Sequence, residues 1–228
     1  NFIKERITES LGDLYGMHWP YKQHKTSRNK KLFPYHEELK KVGACFGVSS
    51  GYERPLWFAL NSEKPKLKYS YNYQNWYPSA EYETNNTIKN VGLFDLTPFS
   101  KFEIKSAKAH QELQRICTAN IKNEIGKSTY THMLNEDGNI ETDLTVACIN
   151  KNYFRVVSSA ATREHDKYHI QKYLSEDISF TDVTEDICCL GLFGPKSREM
   201  IKKISLDDYS SENFKFGSGK NVNIKNIN

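Results

Sequence analysis

Hydrophobic and polar positions alternate with a period of two in several stretches after residue 83, and helical spacing fills the intervals between them. The alternation predicts strands at 101–105, 129–134, 141–149, 153–158 and 188–193. Helical spacing predicts helices at 84–91, 107–117 and 162–174, and a fourth that Pro195 opens and that runs through Ile204. Proline suits that opening, because the first helical turn needs no N–H from it. Within 107–117, Ala109, Leu113, Ile116 and Cys117 fall on one helical face. Asp137-Gly138 separates two strands and predicts a tight hairpin, since such turns need the positive φ that glycine tolerates. The order strand, helix, three strands, helix, strand, helix describes an α+β fold. Its sheet is mixed but antiparallel-leaning, with helices packed on one side.

The first 82 residues are less regular. A helical turn or two fits 2–15, and 36–43 reads as a short amphipathic helix. The segments 51–60 and 74–79 look extended and punctuated by proline. Between the first two lies a basic connector, 21–31, whose Lys22, Lys25, Arg28, Lys30 and Lys31 read as a solvated surface. Two domains follow from this contrast: 1–82, unable to complete a core alone and resembling the tail of a larger body, and 83–228. Residues 221–228 alternate like a strand without a closing turn, so the reading is of a piece open at both ends.

Composition narrows the classes. The chain has 228 residues with 14 Tyr and 12 Phe, enough aromatic volume to pack a core despite a mean hydropathy of -0.70. A net charge of +4 is too mild for a nucleic-acid binder. No apolar run approaches the ~20 residues that cross a bilayer. Five cysteines with no C-x-x-C spacing make a poor disulfide framework and point to a reducing compartment. That is the cytoplasm, or the mitochondrial matrix in a eukaryote. Oligomeric state is not legible.

Candidate chemistry concentrates at the 129–149 hairpin. On the second strand Leu144, Val146 and Cys148 share one face, while Asp143, Thr145 and Ala147 share the other. On the first strand Tyr130 and His132 fall on one face with Leu134. A carboxylate and a phenol on a rigid hairpin can orient a nitrogenous ligand and manage its proton. Their plain alternative is a solvated sheet face with a packing tyrosine. His165 and His169 are four apart on a helix, but with no third ligand they read as a solvated helix face rather than a metal centre. Phe216–Asn221 lacks the spacing of a phosphate loop, and no G-x-G-x-x-G occurs.

Four segments carry a family resemblance: GLFDLTPFSKFEI, YTHMLNEDGNIETDLTV, VVSSAATREHD and LGLFGPKSRE. Together, and in this order, they resemble the folate-binding domain of the glycine-cleavage T-protein (aminomethyltransferase) family. YGMHWPYK, GACFGVSSGYERPLWF and QNWYP resemble the region before that domain in dimethylglycine and sarcosine dehydrogenases. The resemblance implies an oxidoreductase with two working parts. FAD, bound by an upstream portion, oxidises a methylated amine to an iminium, and tetrahydrofolate captures the carbon as methylene-tetrahydrofolate. It further implies that Asp143 is the catalytic acid, and that Tyr130, Phe99, Thr145 and Ser159 contact folate. No FAD-contacting residue and no metal ligand is assigned in this chain. Two positions depart from the family: Thr142 replaces the first of two consecutive acids, and Ser159 stands where a pocket asparagine is usual. Further pocket residues of the family lie beyond Asn228, so the pocket is half encoded. Alternatives are a stand-alone tetrahydrofolate-dependent aminomethyltransferase or demethylase, and a non-catalytic regulatory relative like the pyruvate dehydrogenase phosphatase regulatory subunit.

Overall fold

The computed structural model describes residues 1–60 and 64–225. The chain divides into two compact units, Asn1–Gly92 and Leu93–Asn228.

The first unit begins with α1 (Phe2–Asp13) and α2 (His36–Lys41), followed by the antiparallel pair β1 (Ala44–Ser49) and β2 (Tyr52–Phe58). Ser50 and Gly51 both have positive φ, the two-residue turn geometry that matches strand twist. Phe33, Ala44, Cys45 and Trp57 are buried here. The basic connector is not simply solvated. Arg28 donates through Nε and Nη2 to Glu53 at 2.7 Å, and Glu53 is buried. Lys22 pairs with Asp13 at 2.6 Å. The second correction concerns residues 74–79, where α3 (Tyr77–Lys89) starts well before the expected position. Pro78 lies in its first turn, where proline opens a helix instead of enforcing extension.

In the second unit β3 (Gly92–Asp95), β4 (Ser100–Lys105), α4 (Ala109–Ile116), β5 (Ser128–Leu134), β6 (Ile140–Asn150), β7 (Tyr153–Ser158), α5 (Arg163–Tyr173), β8 (Ser179–Asp182), β9 (Leu190–Phe193) and α6 (Ser197–Ile201) follow in order. Five strands form one sheet in the order β5-β6-β7-β4-β8, and every neighbouring pair is antiparallel. β3 pairs with β9 separately. Alternation sends Phe102, Ile104, Leu144, Val146, Phe154 and Val156 to one face, where Ala109 and Leu113 of α4 and Ile170 of α5 complete the core. This is the predicted α+β arrangement. Gly138, at φ +82, closes the β5–β6 hairpin as its sequence requires. The terminal alternation yields no named strand over 221–225, and 226–228 lie outside the described residues.

Candidate functional site

The face of the five-stranded sheet opposite the core carries the candidate residues. Antiparallel register sets Asp143 beside His132, and Thr145 between Tyr130 and Val157, which in turn pairs with Lys101. The Tyr130 hydroxyl donates to Asp143 Oδ2 at 3.1 Å, a diagonal contact across the hairpin. That bond to the carboxylate lifts the Tyr130 phenol above its ordinary value. The His132 ring meets the Tyr130 ring edge-on, with centroids 5.4 Å apart. Asp143 is exposed and Tyr130 is 62% exposed, so the pair stands on an open face. Thr142 occupies the buried phase of β6, opposite in sense to Asp143, so a second acid there would point toward the core side.

Phe99 and Ser159 lie at the same end of the sheet. Phe99 immediately precedes β4 and Ser159 immediately follows β7, just beyond the paired residues Ser100 and Ser158. Phe99 is 41% exposed. Ser159 turns its hydroxyl to its own loop, accepting from Ala161 N–H at 3.2 Å, while its carbonyl accepts from the Ser100 hydroxyl at 2.8 Å. Asp143, Tyr130 and Thr145 therefore form one group on β5 and β6, Phe99 lies just before β4 with β7 between, and the Ser159 side chain is engaged locally.

Sequence reasoning missed two features of this face. Lys101 is buried, and its ammonium donates to the carbonyls of Thr97 and Phe99, both at 2.7 Å. Burial pulls that ammonium below the usual lysine value. Glu103 gathers Lys105 Nζ at 2.7 Å, Arg155 Nη2 at 2.9 Å and the Tyr153 hydroxyl. Burial alone would raise its carboxyl, but these bonds outweigh it and hold it down at about 2. The signal for both lay in the alternation of SKFEIK, where Lys101, Glu103 and Lys105 occupy the face opposite Phe102 and Ile104.

The expected solvated histidine face on α5 is half wrong. His165 Nε2 lies 2.9 Å from Glu141 and Nδ1 lies 3.2 Å from Asp166, whereas His169 is buried.

Comparisons with known proteins identify the family and the fold. Residues 35–228 match the family model of the GCVT N-terminal domain. The chain is 36% identical to 4-methylaminobutanoate oxidase (formaldehyde-forming) of Paenarthrobacter nicotinovorans, over 98% of this chain and 27% of that protein. It is 29% identical to mitochondrial dimethylglycine dehydrogenase of Rattus norvegicus, over 79% of this chain and 21% of that protein. The solved structure of the glycine cleavage system aminomethyltransferase T from Bartonella henselae superposes with a TM-score of 0.63. That likeness covers 76% of this chain and 43% of the other at 23% identity, and is one of fold. The chain thus spans about a quarter of the length of the curated relatives it matches.

Proposed function

This chain belongs to the GCVT N-terminal domain family, and from that premise we propose that it is part of an FAD-dependent dehydrogenase of N-methylated amino acids. Its one-carbon product is captured on tetrahydrofolate as methylene-tetrahydrofolate. In this reading residues 1–82 continue the flavin-bearing portion, and 83–228 form the first part of the folate domain.

The observation that carries the reading is the Tyr130–Asp143 contact at 3.1 Å on a rigid, solvent-facing hairpin. Reduced folate would supply the nitrogen nucleophile that takes up the carbon. The Asp143 carboxylate can accept the proton which that nitrogen sheds, and its negative charge favours a cationic carbon donor. Tyr130 holds one carboxylate oxygen, and among the described residues no side chain donates to the other. Thr145 and Phe99 would offer a small polar contact and an apolar wall to a flat ring. FAD would be held by residues outside this chain.

The test is Asp143→Asn in the complete protein, with amine oxidation and folate product measured separately. Amine oxidation should continue while methylene-tetrahydrofolate formation falls by about a hundredfold or more, the carbon appearing as formaldehyde. Folate product at the wild-type rate would remove Asp143 from the mechanism. The formaldehyde-forming name of one relative favours a second reading, in which the carbon always leaves as formaldehyde. Under it, the wild-type protein releases formaldehyde with folate present, and Asp143→Asn changes nothing.

A further inference from the structure

The first unit contains two adjoining concavities that the proposed chemistry does not use. One, of about 490 Å³, is walled by Tyr21, Trp57, Tyr73, Trp76 and Tyr77, and no charged side chain lines it among the described residues. The other, of about 600 Å³, is bordered by Lys22, His24, Lys25, Arg28 and Lys66, with no carboxylate in its lining among the described residues. Gln23 and Leu67 belong to both walls, so the two lie side by side. Each volume is in the range that holds a small molecule.

The division of polarity defines the ligand. Gln23 is fixed at the junction: its Oε1 accepts from Val48 N–H at 2.8 Å, and its backbone N–H donates to the Tyr69 hydroxyl at 3.0 Å. On the cationic side Lys22 is matched by Asp13 at 2.6 Å, Arg28 by Glu53 at 2.7 Å, and His24 lies 3.6 Å from Glu9. Lys25 and Lys66 have no ion pair among the described residues, so two positive charges remain to be met. Aromatic walls without charge accept a flat apolar ring by stacking and burial. They would also attract a methylated ammonium, but the unpaired lysines repel one, and the nearby carboxylates of Asp13, Glu53 and Glu9 are already engaged by Lys22, Arg28 and the 24–26 segment. We propose that this joined cleft binds a small molecule made of a planar aromatic ring tethered to a carboxylate or phosphate. The ring sits against Trp76, and the anion lies between Lys25 and Lys66.

The whole chain can be titrated with 2-naphthoate, 1-naphthyl phosphate and neutral 2-naphthalenemethanol, following tryptophan fluorescence and heat. At least one anionic probe should bind about tenfold tighter than the alcohol. The double variant Lys25→Gln/Lys66→Gln, altered only at exposed positions, should erase that preference and leave the alcohol's affinity unchanged. Trp76→Ala should weaken all three probes, with circular dichroism verifying its fold. Whichever anion binds tighter identifies carboxylate or phosphate as the natural tail. Equal affinities for charged and neutral probes, a preference that survives loss of both lysines, or no binding of any probe would each overturn the proposal.

Discussion

Lys101 shows at the scale of one side chain how this sheet face is held. A buried ammonium is costly, and it persists only where its protons are well received. Here two backbone carbonyls, those of Thr97 and Phe99, receive them at 2.7 Å. The bonds fasten residues 97–99 back onto β4 and so fix the start of the candidate wall at Phe99. Replacing a buried ion pair with apolar residues is often harmless because both partners go. In Lys101→Met the carbonyls cannot go, and they would lose their donor. The variant should be less stable by about 1–3 kcal/mol, measured by urea denaturation followed in the far-ultraviolet. A variant as stable as the wild type would mean that water or a loop shift replaces the ammonium. Asp143, Tyr130 and Thr145 are legible in sequence because strand alternation alone sorts them onto one face. For Lys101 alternation reveals the face but not the burial, because nothing in the pattern shows its ammonium turning back onto the carbonyls of Thr97 and Phe99.

At the scale of elements, α5 is tied to the β5–β6 hairpin from two directions. His165 reaches Glu141 at 2.9 Å, and Lys172 and the Tyr173 hydroxyl reach Glu136 at 3.1 and 3.2 Å. Glu141 is two residues from Asp143, so the first tie supports the strand that carries the candidate acid. His165 is raised above its ordinary 6.5, first by its hydrogen bond with Asp166 and then by Glu141. The folded state therefore holds that proton more tightly than the unfolded chain. The resulting stability is complete below 6.5 and is lost as pH rises through the raised value. His169 acts in the opposite sense, because burial lowers it and penalises its protonation as pH falls. The advantage of wild type over His165→Gln in urea midpoint should be present near about pH 6 and absent near about pH 9. A difference independent of pH would show that packing, not charge, is the tie.

The elements that sequence missed share a physical reason. β8 has four residues and is only half-buried, and β1, although as long as β4, is interrupted by Gly47 and a bulge after Cys45. Neither offers enough alternating positions to separate a strand from a loop. β3 is similarly brief, and its pairing with β9 joins segments nearly a hundred residues apart. By contrast β6 runs for eleven residues with an unbroken burial alternation from Thr142 to Cys148, so the alternation reveals its phase and all but one residue at each end.

For the whole molecule, the two units differ in what their sheets can support. Unit Leu93–Asn228 has five antiparallel strands with Phe102, Phe154 and Leu113 fully buried beneath two helices. Unit Asn1–Gly92 has a two-stranded sheet, and such a pair is marginal unless other elements cover it. All three tryptophans, Trp19, Trp57 and Trp76, belong to that smaller unit, whereas the far-ultraviolet signal is shared by both. Two probes therefore watch different parts of one chain. In urea, tryptophan fluorescence should change at a lower concentration than the main circular dichroism transition, which departs from two-state behaviour. The aromatic cleft offers an internal check, because a ligand that binds there should shift the fluorescence transition upward by mass action and leave the later one in place. Coincident transitions by both probes would mean that the hairpin unit draws its stability from the larger sheet and that the chain unfolds as one.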